Sequence, residues 1–264
     1  MTAAGSVTST WAQVGLVARR SVRRTFRQPA LIVPTLLFPL ILLAVNTGGL
    51  NDATRIPGFP VDSYLDFAIV VPFLQAALFA AITSGTELAT DIQNGFLNRL
   101  QLTPLRRVAI LTGQLAGAVA VAVTGALIYV AVGLVAGVDF RSGALGVVVL
   151  VLYATCMAVA FAGLGSFIGA RTGSAEAVQG VFPLLFVLLF FSTVSLPAEL
   201  IEVGWYRAVA QVNPVSWLVE GLRSLIIEGW DASKLAVGLG TATLVLVLSF
   251  GAASRALATR MERT

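Results

Sequence analysis

Residues 109–136 read AILTGQLAGAVAVAVTGALIYVAVGLVA, with no acidic or basic side chain from end to end. A helix rises about 1.5 Å per residue, so about 20 apolar residues cross the roughly 30 Å hydrocarbon core of a bilayer. This run is long enough, and its recurring glycines and alanines let a second helix backbone come close in lipid. Reading outward in both directions, segments 30–49, 64–86, 144–168, 177–195 and 235–253 have the same character. The expected fold class is all-α: a polytopic membrane protein with six transmembrane helices in a single transmembrane domain, residues 1–264. Pro34 and Pro39 lie inside the first span, which is expected to kink, with neighbouring helices satisfying the backbone groups that proline frees.

Composition supports the membrane reading. Hydrophobic residues make up 57% of the chain, charged residues 11%, and the mean hydropathy is +0.90. A net charge of +4 could belong to a nucleic-acid binder, but the charges sit between long apolar segments rather than on a soluble basic face, so nucleic acid is set aside. The chain has no histidine and its only lysine is Lys234. Histidine-built zinc sites, histidine triads and any P-loop are therefore absent, and ATP, if used, must be hydrolysed by another chain. No catalytic or metal-binding residues are expected. The lone Cys156 lies in an apolar segment and reads as a small core residue.

Basic residues set the orientation. Placing the N-terminus inside puts twelve on the cytoplasmic side: Arg19, Arg20, Arg23, Arg24, Arg27, Arg99, Arg106, Arg107, Arg171, Arg255, Arg260 and Arg263. Five fall outside: Arg55, Arg141, Arg207, Arg223 and Lys234. The positive-inside rule thus favours a multi-pass protein of the cell membrane with both termini cytoplasmic, which requires an even number of spans.

Segment 196–234 is too long for an idle connection, and its apolar stretches are too short and too charged to span. Two short helices dipping into the outer leaflet are expected there, with Trp205, Trp217 and Trp230 as interfacial anchors. At the other end of the chain, residues 7–28 place Trp11, Val14, Ala18, Val22 and Phe26 on one side of a helical wheel and the five arginines Arg19, Arg20, Arg23, Arg24 and Arg27 on the other. That pattern predicts an amphipathic interface helix, arginines toward anionic membrane lipids and Trp11 and Phe26 toward the acyl boundary. VRRTF also resembles the core of a twin-arginine export signal, but no cleavage site follows and five further spans argue against export.

Between the second and third spans lies ELATDIQNGFLNRLQLTPLRRVAILTGQ, a polar stretch of helical composition that Pro104 ends. Its D-x-x-x-G-x-x-x-R-L-x-x-x-P run, on Asp91, Gly95, Arg99, Leu100 and Pro104, resembles the coupling-helix signature of type-two ABC exporter permeases of the daunorubicin-resistance kind. NPVSWLVEGLR, from Asn213 to Arg223, is similar to the Asn-Pro-x-x-aromatic run that follows the fifth span in that family. The resemblance implies a permease subunit that exports a hydrophobic or amphiphilic substrate, a drug, polyketide or lipid-like molecule, and has no ATPase site of its own. It implies two copies of a cytoplasmic ATPase subunit carrying ATP and Mg, and a second permease subunit, the same chain or a paralogue. The 87–103 coupling helix, through Asp91, Gln93, Asn94, Gly95, Phe96, Arg99, Leu100 and Pro104, would dock the ATPase. Asn213, Pro214, Trp217 and Arg223 would belong to an outer gate.

Gln75, Gln114, Thr124, Tyr129, Tyr153, Ser192 and Thr193 are the polar or aromatic groups inside spans that a substrate path could use, with helix–helix hydrogen bonding the competing role. An ion-coupled secondary transporter is the rival from another class. It would carry ionisable groups at mid-membrane, whereas Asp66 and Glu87 sit near opposite ends of the second span and Glu176 precedes the fifth. An intramembrane enzyme would need paired carboxylates or histidines in the bilayer, and a passive channel would leave the coupling motif without purpose.

Overall fold

The computed structural model describes residues 10–95 and 107–261, and every regular element among them is helical. Five stretches are long and apolar enough to cross a bilayer: Ile32–Arg55, Tyr64–Gln93, Leu115–Val135, Gly143–Thr172 and Ala232–Arg260. They correspond to α2 (Pro29–Leu50) with a 3-10 turn, α3 (Tyr64–Ala68) running into α4 (Val70–Gln93), most of α5 (Arg107–Val135), α6 (Gly143–Thr172) and α10 (Ala232–Met261). The segment expected at 177–195 forms α7 (Ala175–Phe190), whose 16 residues reach only about 24 Å. Before the spans lies α1 (Thr10–Phe26), and before α10 come α8 (Gly204–Val212), α9 (Pro214–Arg223) and a π-helical turn, Ser224–Glu228.

The centre of the molecule is the α4–α6 pair, with α10 on the far side of α6 and α5 carrying α1. Small residues explain the close approach of the central pair. A Cβ at Gly165 would collide with the Ala81 carbonyl, one at Gly85 would lie 2.5 Å from the Gly165 carbonyl oxygen, and one at Gly169 would collide with the Gly85 carbonyl. Each of these residues recurs at spacing four, so both helices present a groove to one another. The Ser84 and Ser166 hydroxyls meet across it at 2.7 Å, a polar tie that needs no water.

Pro39 leaves the Thr35 carbonyl without its intrahelical donor, and the buried Tyr129 hydroxyl donates to that carbonyl at 3.4 Å. The expected compensation by a neighbouring helix is thus found. Tyr129 also meets Phe73 edge-on at 5.5 Å, which fixes α2 and α4 to α5.

The 196–234 segment is not a loose cap. Val215, Leu218, Val219, Leu222, Leu225 and Ile226 are buried in the main core, and the Arg141 and Ser142 amides donate to the Ile226 and Leu225 carbonyls. Tyr153 of α6 donates its hydroxyl to the Leu218 carbonyl at 2.9 Å.

Candidate functional site

At the end of the molecule where α4 stops, three elements converge. α1 packs lengthwise on α5 because two glycines four residues apart make room: a Cβ at Gly113 would lie 2.5 Å from Val17 Cβ, and one at Gly117 would lie 2.6 Å from Ser21 Oγ. The Gly117 amide donates to Ser21 Oγ at 3.2 Å. The covered face of α1 is centred on Ser21 and Thr25, whereas Phe26, expected at the acyl boundary, is 47% exposed. The side chain of Trp11 lies outside what the structure describes.

Arg24 donates to Asp91 Oδ1 at 2.8 Å, and Arg20 reaches the same oxygen at 4.0 Å. Asp91 is buried and Arg24 half-buried, so a charge-assisted bond joins α1 to the end of α4 at the edge of the packed interior. Glu87, one turn away on α4, makes no hydrogen bond or ion pair among the described residues. Arg19, Arg20, Arg23, Arg24 and Arg27 together line an open basic concavity of about 680 Å³ with Leu16 and Gln28.

The first part of the expected 87–103 coupling helix is the continuation of α4 through Gln93. The helix stops because Gly95 adopts φ +64° and its amide turns back to the Ile92 carbonyl. Asp91 therefore faces α1, while Gln93 and Asn94 are exposed. Phe96, Arg99, Leu100 and Pro104 lie outside the described residues.

At the opposite end, the NPVSWLVEGLR motif acts as a cap on α7. The last four carbonyls of that helix each have a partner: Val187 accepts from the Phe191 amide, Leu188 from Asn213 Nδ2 at 2.7 Å, Leu189 from Ser192 Oγ at 2.6 Å and Phe190 from the Tyr206 hydroxyl at 2.8 Å. Beyond the helix, Asn213 Nδ2 also serves Phe191 at 2.8 Å, and Arg223 serves Thr193 and Val194, each at 2.7 Å. Asn213 Oδ1 meanwhile caps α9 by accepting from the Val215 amide, with Pro214 at the first helical position. Arg223 is 2% exposed, pairs with Glu220 at 2.9 Å and lies over the Phe67 ring at 3.6 Å. Trp217, 41% exposed, lines a cavity of about 410 Å³ beside this clamp together with Glu199, Glu220 and Lys234.

Five of the seven residues read as a substrate path have hydrogen-bond partners within the chain. Thr124 bonds its own helix at the Ala120 carbonyl, Tyr129 and Tyr153 bond neighbouring backbones, and Ser192 and Thr193 belong to the α7 cap. Thr193 Oγ1 donates to Glu220 at 2.9 Å. Gln75 is fully buried with both amide atoms unpaired, and the side chain of Gln114 lies outside what the structure describes. The reading missed Tyr206 and Glu220. Only Glu220 left a signal, its position three residues before Arg223 in a helical stretch.

The sequence profile of the ABC-2 type transporter family matches residues 12–227, from within α1 to the π-helical turn. The chain belongs to the ABC-2 type transporter family. Similar proteins include the daunorubicin resistance ABC transporter permease protein DrrB1 of Streptomyces coeruleorubidus, 30% identical over 75% of this chain and 69% of that one. Another is named "Probable doxorubicin resistance ABC transporter permease protein DrrC", from Mycobacterium tuberculosis, 26% identical over 83% of this chain and 78% of that one. Both motifs read in the sequence, at residues 91–104 and 213–223, fall inside the matched range. This ABC-2 protein is a transmembrane permease subunit of an ABC exporter, as the family and its apolar helices together establish.

Proposed function

We propose that the chain pairs with a second permease subunit, its own copy or a paralogue, and with two copies of a cytoplasmic ATPase that hold ATP and Mg, to expel hydrophobic or amphiphilic drugs or lipid-like molecules. The observation that carries this reading is the Arg24–Asp91 pair, whose carboxylate is buried. It ties α1 to the one span whose end leads directly into the D-x-x-x-G-x-x-x-R-L motif, so a push on that segment from below reaches α1 and the spans together. The relatives' names, which speak of daunorubicin and doxorubicin resistance, support a drug as substrate. This chain supplies no nucleotide chemistry.

In this reading both termini are cytoplasmic and α7 is the fifth of six crossings, its short reach completed by α8 and α9 dipping into the outer leaflet. The capped carbonyls of α7 support it, because a helix can end within an apolar layer only when such groups have partners. Single cysteines at Asn51 and Asp231 in a Cys156→Ser background should react with an impermeant thiol reagent from outside, while one at Asn94 should not; labelling of Asn94 from outside reverses the orientation. The coupling test is Arg99→Glu in the assembled complex. Bound ATPase is expected to fall about tenfold, equivalent to 1.4 kcal/mol, with insertion unchanged. Full complex formation and normal drug export would remove this segment from coupling.

A further inference from the structure

We propose that the cavity beside the α7 clamp seats the headgroup of a zwitterionic lipid, its phosphate toward Lys234 and its primary ammonium toward Glu220 and Glu199, as phosphatidylethanolamine would supply. The inference rests on the exporter reading only for the leaflet in which the lipid lies.

Size and charge come first. A concave space of about 410 Å³ is within the range of small-molecule sites. Glu199, Glu220 and Glu228 line it together with Arg223 and Lys234, so both signs of charge meet on one wall. A purely anionic headgroup would face three carboxylates, and a simple cation would face two cationic side chains. A ligand carrying both charges a few atoms apart complements this wall better than either.

The contacts of the clamp leave bonding capacity for such a ligand. Glu220 accepts from Thr193 and Arg223, both at Oε1, which leaves Oε2 as an acceptor. Glu199 serves the fold through its backbone carbonyl, which accepts from Arg207, while its exposed carboxylate makes no hydrogen bond or ion pair among the described residues. Lys234 gives one of its three N–H donors to Glu228. The buried Nε–H of Arg223 has no hydrogen-bond partner among the described residues, so the wall also holds a donor suited to an acceptor oxygen. Carboxylates only accept, and a primary ammonium supplies the N–H donors that a quaternary one lacks.

The surroundings of the cavity favour a lipid over a soluble zwitterion. Ala210 and Gln211 of α8 line it, and Trp205, Val209 and Val212 of the same helix form an exposed apolar row at spacings of four and three. Trp217 lies between the two features: it lines the cavity, and its Nε1 donates to the Gln211 carbonyl at 2.9 Å. Exposed tryptophans beside charged groups suit the boundary between headgroups and acyl chains. The charged wall then meets the headgroup, and the α8 row runs beside the chains.

The test compares the full chain with its Trp217→Phe variant in phosphatidylglycerol nanodiscs, the difference in tryptophan emission being the part due to Trp217. Phosphatidylethanolamine, phosphatidylcholine or phosphatidylglycerol, each brominated near the headgroup end of its acyl chains, is added in turn at one mole fraction as a short-range quencher. Phosphatidylethanolamine should be enriched at Trp217 about fivefold over the other two, the upper end for one exposed ion pair. Lys234→Gln and Glu199→Gln should each reduce that enrichment to near parity with an unchanged thermal midpoint. Millimolar phosphoethanolamine, which has no chains, should not relieve the quenching. Equal quenching by the three lipids, or full enrichment in both variants, overturns the seat; relief by phosphoethanolamine overturns the lipid in favour of a soluble ligand. Binding is read without nucleotide, so a failed seat leaves the exporter reading intact, and a chain that binds the lipid but exports nothing in the assembled complex overturns that reading alone.

Discussion

Arg223 holds together parts of the chain that no local rule would join. Its guanidinium serves two backbone carbonyls about thirty residues earlier, one carboxylate and one aromatic face, all with almost no exposure to water. Arg223→Leu leaves those carbonyls without their donor and Glu220 without its cation, and removing one partner from a buried network of this kind costs about 3–5 kcal/mol. The expected result is a large fall in the thermal midpoint and in recovery of folded chain from membranes. Arg223→Lys should be intermediate, because an ammonium keeps the charge without the planar fork; a wild-type midpoint in both variants would contradict the cap. The motif itself was legible in the sequence, as was the need for some group to serve the carbonyl freed by Pro39. The partners were not. Nothing in the order of residues says that Tyr129 reaches Thr35 or that Asn213 reaches Leu188, since those meetings depend on how the helices pack.

The helices are where sequence and structure agree best, because length and apolar composition decide them. The small residues in segment 144–168 were legible as packing signals, and Gly165 within it and Gly169 just beyond it stand where the α4 backbone passes closest. Gly165→Ala should push α4 and α6 apart and cost about 1–3 kcal/mol, as overpacking does. Gly180→Ala is the matched control, since a Cβ there meets nothing within 4 Å, and it should leave stability level or raise it slightly. A thermal ramp read by a thiol-reactive dye at Cys156, half-buried in α6, distinguishes the two; equal midpoints would mean that the close approach is not tight. Boundaries were less legible. The polar stretch from Glu87 to Gln93 read as a separate cytoplasmic helix, yet α4 runs through it, because Leu88, Ala89 and Asp91 are buried there. The α1 wheel gave the helix but not the face that packs on α5, since packing on two glycines selects the small Ser21 and Thr25 and leaves Phe26 exposed.

At the scale of the molecule, five stretches among the described residues meet the demands of a bilayer unaided and α7 does not. The carbonyl end of α7 is served by groups at 206, 213 and 223, all later in the chain. Translation therefore delivers α7 before anything exists to close its carbonyl end. A truncated chain ending at residue 200 and released from the ribosome has made the helix but none of these partners, and its α7 should remain open to protease in membranes. One ending at residue 230 should be protected; equal protection in both would show that α7 settles on its own. In the six-crossing reading, the consequence is an order of assembly in which the fate of one crossing is decided by residues the ribosome has not yet joined, so that a defect in the α8–α9 segment first appears as a helix that fails to stay inserted.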